Sequence, residues 1–241
     1  MKRLVSQLGR LAVLTFVVAM SAVIAQAQTD TGTVTINGSV GSAASLRWWT
    51  FTNNNASGGT NAPNVQNSPL AFTLNLGDVS PNNPNTYVGG TVQIIMRTNA
   101  AYTLSAAVTS SSGFGASGNA NGDIALDNLG FGLQNLAASG TGTLVTATAV
   151  SGSTIVAAFD SDPGAATLDA DGIPTYSATL DDLSTTAPGT QVLSGPRISR
   201  RGSFSSPNNG LLADTIYTVV PEFFTPTASF SATVTYTLAT P

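Results

Sequence analysis

The stretch Phe230-Ser231-Ala232-Thr233-Val234-Thr235-Tyr236-Thr237-Leu238 decides the fold. Apolar side chains take every second position and Ser or Thr fills the gaps, a period of two that separates a core face from a solvent face. A helix would need a repeat near 3.6, and β-branched Thr and Val suit a pleated surface. Immediately upstream, Thr215 to Val220 is a second strand, and a Pro221–Pro226 corner divides the two.

The same period recurs towards the N-terminus. Thr31 to Val40 places Val34, Ile36 and Val40 on one side and Thr33, Thr35 and Asn37 on the other. Leu46 to Phe51 is apolar on both faces, and Leu70, Phe72, Leu74 and Leu76 alternate strictly. Thr91 to Thr98 reads as a buried strand, with Tyr102 to Val108 as its hairpin partner across Thr98-Asn99-Ala100-Ala101. Weaker strands are expected over Ile124–Leu136, Leu144–Val150 and Thr154–Phe159, and around Tyr176–Leu180 and Gln191–Leu193. Many short strands between turn signals predict an all-β fold, an antiparallel Ig-like β-sandwich. The regular pattern lies at both ends of the chain. The expectation is therefore one domain over residues 28–241, with a loop-rich central insertion at about 110–210.

Residues 1–27 read as a cleavable signal peptide. Lys2, Arg3 and Arg10 precede an apolar stretch from Leu11 to Ile24, and Ala25-Gln26-Ala27 fits the small-x-small cleavage rule. The apolar stretch is shorter than the ~20 residues a spanning helix needs. The expected location is extracellular or at the cell surface, with the periplasm as the other exported compartment, and no membrane span after cleavage.

Eight basic residues less those three leave five, all arginine, against twelve acids, a net charge of −7. That balance argues against nucleic acid and anionic lipid as partners. Charged residues are 8% of the chain, well under the usual ~25%, and Asn, Ser, Thr and Gly replace them. With no cysteine, stability must come from core burial or from neighbouring subunits.

The strand layout resembles bacterial fimbrial subunits, specifically the spore-coat-protein-U-like pilins of archaic chaperone–usher systems. The resemblance is carried by Gly32-Thr33-Val34-Thr35-Ile36, the Leu74 to Pro84 segment, Gly90 to Ile94 with Asn99 to Leu104, and Phe230 to Leu238. It covers the first third and the last quarter of the chain. The disulfide usual in those pilins is absent, and Gly113 to Asn209 has no counterpart in them. The resemblance implies a sandwich lacking one strand, filled by the N-terminal extension of the next subunit, with Val34, Ile36 and Val40 as donor side chains. The residues themselves leave open that Thr31–Val40 is this domain's own first strand.

The chain has no histidine, which removes His-based triads and general acid–base catalysis, and the expectation is a non-enzymatic protein. Asp160-Ser161-Asp162 and Asp169-Ala170-Asp171-Gly172 have the alternating oxygens of a calcium loop but lack the third acidic position and the distal Glu. Asp160, Asp162, Asp169 and Asp171 are therefore weak calcium candidates, and no other cofactor is expected. Arg197, Arg200 and Arg201 form the most concentrated positive feature and are candidates for binding an anionic glycan or a partner. Trp48 and Trp49 are candidates for a carbohydrate platform, since adjacent strand residues point to opposite faces. The expected function is an exported structural or adhesive surface component, possibly a fimbrial subunit assembled by strand addition, with like subunits or other surface proteins as partners. The alternative is a secreted carbohydrate-binding β-sandwich module.

Overall fold

The inward residues of two central strands, Val92, Ile94 and Met96 on one and Tyr102, Leu104, Ala106 and Val108 on the other, are all buried in one shared core. The computed structural model that shows this describes residues 37–38, 41–54, 74–118, 122–139, 145–200, 210–224 and 229–241. Its strands are β1 (Ala44–Asn53), β2 (Val88–Thr98), β3 (Tyr102–Ser112), β4 (Gly130–Ala138), β5 (Thr154–Ile155), β6 (Thr167–Leu168), β7 (Pro174–Thr175), β8 (Thr190–Gly195), β9 (Leu211–Val219) and β10 (Ser231–Ala239). One sheet has the order β1-β2-β9-β4, the other β10-β3-β8-β5, and β6-β7 is a separate two-stranded ribbon. All named strand pairs are antiparallel. The fold is an all-β sandwich. Gly41–Pro241 forms one compact unit.

β2 and β3 are not the hairpin that their spacing predicts. β2 pairs with β1 and β9, while β3 pairs with β10 and β8, so the turn between them carries the chain from one sheet to the other. Asn99 makes this arch possible. Its side chain donates to the Gly41 carbonyl at 2.8 Å and accepts from the Ala43 amide at 2.7 Å, so the start of β1 satisfies the polar groups of the turn.

Other departures are local. Leu144–Val150 is not a strand; Ala147–Ser151 forms α1, a single turn in an Ala-containing segment closed by the Gly152 amide on the Thr148 carbonyl at 2.8 Å. Of Thr154–Phe159 only Thr154–Ile155 is strand, and the element expected around Tyr176–Leu180 lies earlier, at Pro174–Thr175. Leu74 and Leu76 lie in irregular chain.

The central insertion shields one sheet edge. Asp160 bridges to Leu133 and Thr179 to Gly130 along β4, and Tyr176 and Pro163 lie over Gly130 and Gly132. A Cβ on Gly132 would stand 2.1 Å from the Ser161 carbonyl oxygen, so only glycine permits that approach. A covered edge cannot template pairing with another chain.

The sandwich has two distinct ends. Ser42 donates to the Pro241 carbonyl at 3.2 Å, so the chain enters the body beside the point where β10 finishes. We call this the entry end. The last residue of β9, Val219, and the first of β10, Ser231, lie at the opposite end, where Gly113 packs against Ser229 and Phe230.

Candidate functional site: an open groove beside β10

β10 has one hydrogen-bonded neighbour among the described strands, β3, in a register from Ser231↔Ser112 to Ala239↔Thr103. Alternation aims Ala232, Val234, Tyr236 and Leu238 at the core, yet all four are only half-buried. Their counterparts on adjacent β3 are fully enclosed, Tyr102 at 2% exposure and Leu104 and Ala106 at 0%. The same pattern on neighbouring strands therefore gives two outcomes, and the difference is what lies next to β10.

What lies there is a groove of about 1220 Å³. β10 from Phe230 to Tyr236 forms one wall and Leu74 to Pro81 the other, with Val92 and Ile94 of β2 and Thr215 and Tyr217 of β9 in the floor. Leu74, Leu76 and Val79 are half-buried in the same way as the β10 side chains. Turn chemistry fixes the far wall. Asp78 accepts from the Ser80 amide at 2.8 Å, Asn75 accepts from the Gly77 amide at 2.9 Å, and Asn53 donates to the Asn75 carbonyl. The Ser80 contacts hold the Asp78 carboxyl below its ordinary range.

At the end away from chain entry the groove opens among aromatics. Phe114 and Phe230 pack with ring centroids 5.2 Å apart, Phe224 lines the wall, and Phe223 is 92% exposed. Glu222 sits beside them, its carboxyl pushed up by burial and by nearby Asp169. In the floor, the Tyr217 and Tyr236 hydroxyls meet at 2.5 Å, and burial raises both phenols.

Charge is divided between the two ends. The described arginines lie in the entry half: Arg97 and Arg47 near the end of β2, and Arg197 and Arg200 flanking Ile198 and Ser199, whose amides bond Thr98. Most described acids lie in the groove half. Asp78 is in the groove wall, Asp123 and Asp127 flank the Ile124–Leu126 turn, Asp181 follows the groove residue Leu180, and Asp169 faces Glu222.

The sequence candidates fall out unevenly. Val34, Ile36, Val40 and Arg201 lie outside the described residues. The β1–β2 register shifts between Trp48 and Thr50. Trp48 is 5% exposed and Trp49 half-buried, so Trp48 offers no ring face to a sugar. The aspartates serve their own loops: Asp162 accepts from the Gly164 amide at 2.9 Å, and Asp169 accepts from the Asp171 and Ile173 amides at 2.9 and 2.8 Å. Among the described residues no three His, Cys, Asp or Glu side chains converge as metal ligands, so Asp160, Asp162, Asp169 and Asp171 are not brought together. Among the described residues no helix is long and apolar enough to cross a membrane. The sequence reading missed the groove walls at Leu74–Pro81 and the Phe223–Phe224 mouth, although Phe223-Phe224 next to a proline corner was a visible signal.

The chain matches no protein-family model and no curated protein.

Proposed function

We propose that this chain is an exported structural subunit that polymerises by strand addition, the Thr31–Val40 segment of one copy filling the β10 groove of the next. One observation carries the reading: the inward face of β10 is half-exposed along an open edge above an apolar groove. An added strand would pair with the free backbone groups of β10, and its alternate side chains would occupy the groove. The segment has the required pattern, with Val34, Ile36 and Val40 on one side. Its ten residues extend roughly 33 Å, enough for the nine residues of β10.

The ends of the body favour an antiparallel donor. Each body begins, at Gly41 and Ser42, beside the point where its own β10 finishes. A donor antiparallel to β10 would bring its body to the groove end of the acceptor and leave the acceptor's own extension free for a further copy. A parallel donor would crowd both bodies at the entry end. The fimbrial resemblance of the sequence points to the same mode of assembly, and the signal sequence supplies the export that a surface polymer needs. The carbohydrate-binding alternative is weaker because Trp48 is enclosed.

The test is deletion of residues 28–40. The truncated body should remain folded, fail to polymerise, and capture a synthetic Thr31–Val40 peptide. Unfolding of the truncated body, with the intact chain remaining a cooperative monomer, would contradict the reading.

A further inference from the structure

We infer that successive bodies also dock on one another end to end, the arginine-bearing entry end of one copy seating on the acidic groove end of the next. This rests on the strand-addition reading and adds a second, electrostatic interface to it. The partner is a second copy of this chain.

Three observations converge. First, the charges are separated along the strand axis. Arg197 and Arg200 stand beside the Thr98 end of β2, where the chain also enters the body. Asp169, Asp181 and Glu222 stand at the other end, around the mouth of the groove. A chain with so few charges gains little from such sorting as a monomer, whereas opposite ends of one sign each are complementary between copies. Second, the geometry of entry brings these ends together. Val40 is one residue from Gly41, which Asn99 holds at the entry end. A donor segment lying antiparallel in the groove therefore leaves almost no slack between its last residue and its own body. That body must rest at the groove mouth, entry end first. Third, the mouth presents Phe223 at 92% exposure, next to Glu222, which in turn feels the charge of Asp169. An exposed aromatic beside charged groups is the arrangement of a docking surface.

Complementary rim charges act mainly on the encounter rate and are screened by salt within about 10 Å at 0.1 M. The experiment compares the assembly rate of the intact mature chain with those of Arg197→Glu/Arg200→Glu, Asp171→Lys/Asp181→Lys (Asp171 lies on the Asp169 turn, its amide bonded to the Asp169 carboxylate) and the combined quadruple variant, each at low and high salt. Capture of the Thr31–Val40 peptide by the truncated form of each variant is measured in parallel. Each charge-reversed pair should slow assembly about tenfold at low salt, the quadruple variant should recover most of the rate, and peptide capture should be unchanged. A second series with Phe223→Ser should speed filament dissociation more than it weakens peptide capture. Assembly rates that ignore both salt and charge reversal, while peptide capture persists, would overturn this docking and leave strand addition standing. Failure of every truncated body to capture the peptide would overturn strand addition and the docking with it.

Discussion

Tyr217 on β9 and Tyr236 on β10 join hydroxyls at 2.5 Å although their strands belong to different sheets. Close to both phenols, Thr215 on β9 donates its own proton to the Val92 carbonyl at 2.7 Å. The tyrosine pair thus ties β10 to the opposite sheet beneath the open groove, where apolar packing is incomplete.

Removing one end of that tie should loosen β10 without emptying the core. Tyr236→Phe leaves the Tyr217 hydroxyl short of a partner, and a cost of about 1–2 kcal/mol is expected. Urea unfolding measures it. An unchanged midpoint would show that the tie contributes nothing.

The same tyrosines give the body an alkaline limit. Burial raises Tyr217 and Tyr236 above the ordinary 10.0 and pushes Tyr102 up to about 12. Above pH about 10 the unfolded chain loses its phenolic protons while the folded chain keeps them, so stability is full below that pH and falls as pH rises. The melting temperature should decline above pH about 10, less steeply in Tyr236→Phe. A flat profile through that range would contradict the burial of these hydroxyls.

Side chains with identical patterning should differ in energetic weight. Leu104→Ala on β3 empties a fully enclosed site and should cost about 3 kcal/mol. Val234→Ala on β10 removes a side chain already half-exposed to the groove and should cost under about 1 kcal/mol in the monomer, while weakening assembly. Equal losses at both positions would mean that the groove is closed in solution.

These contrasts explain how much was legible in the sequence. Apolar patterning located β2, β3, β9 and β10: alternation marks β10 and the first half of β3, while β2 shows as a continuous apolar run because Ile94, Ile95 and Met96 are all buried. It could not pair them, because an arch and a hairpin carry the same residues; the choice rests on Asn99 reaching Gly41 and Ala43. The Trp48–Thr50 register shift was not legible either, because a bulge leaves no mark on composition. The groove escaped notice because Leu104 and Val234 look alike in sequence, and what separates them is that β10 has a single neighbour among the described strands.

Gly132 allows a further check on the insertion. Gly132→Ala drives a methyl into the Ser161 carbonyl and should destabilise by about 1–3 kcal/mol, seen as a lower denaturation midpoint. A neutral effect would show that the central segment does not cover β4 as described.

The most direct measurement is amide hydrogen exchange across Ser231–Ala239, compared between the truncated monomer lacking residues 28–40 and the assembled polymer. Strand addition predicts that β10 amides facing away from β3 exchange freely in the monomer and gain protection of about a hundredfold or more on assembly. Equal exchange along β10 in both states would contradict the account at its centre, because no strand would then have been added at that edge.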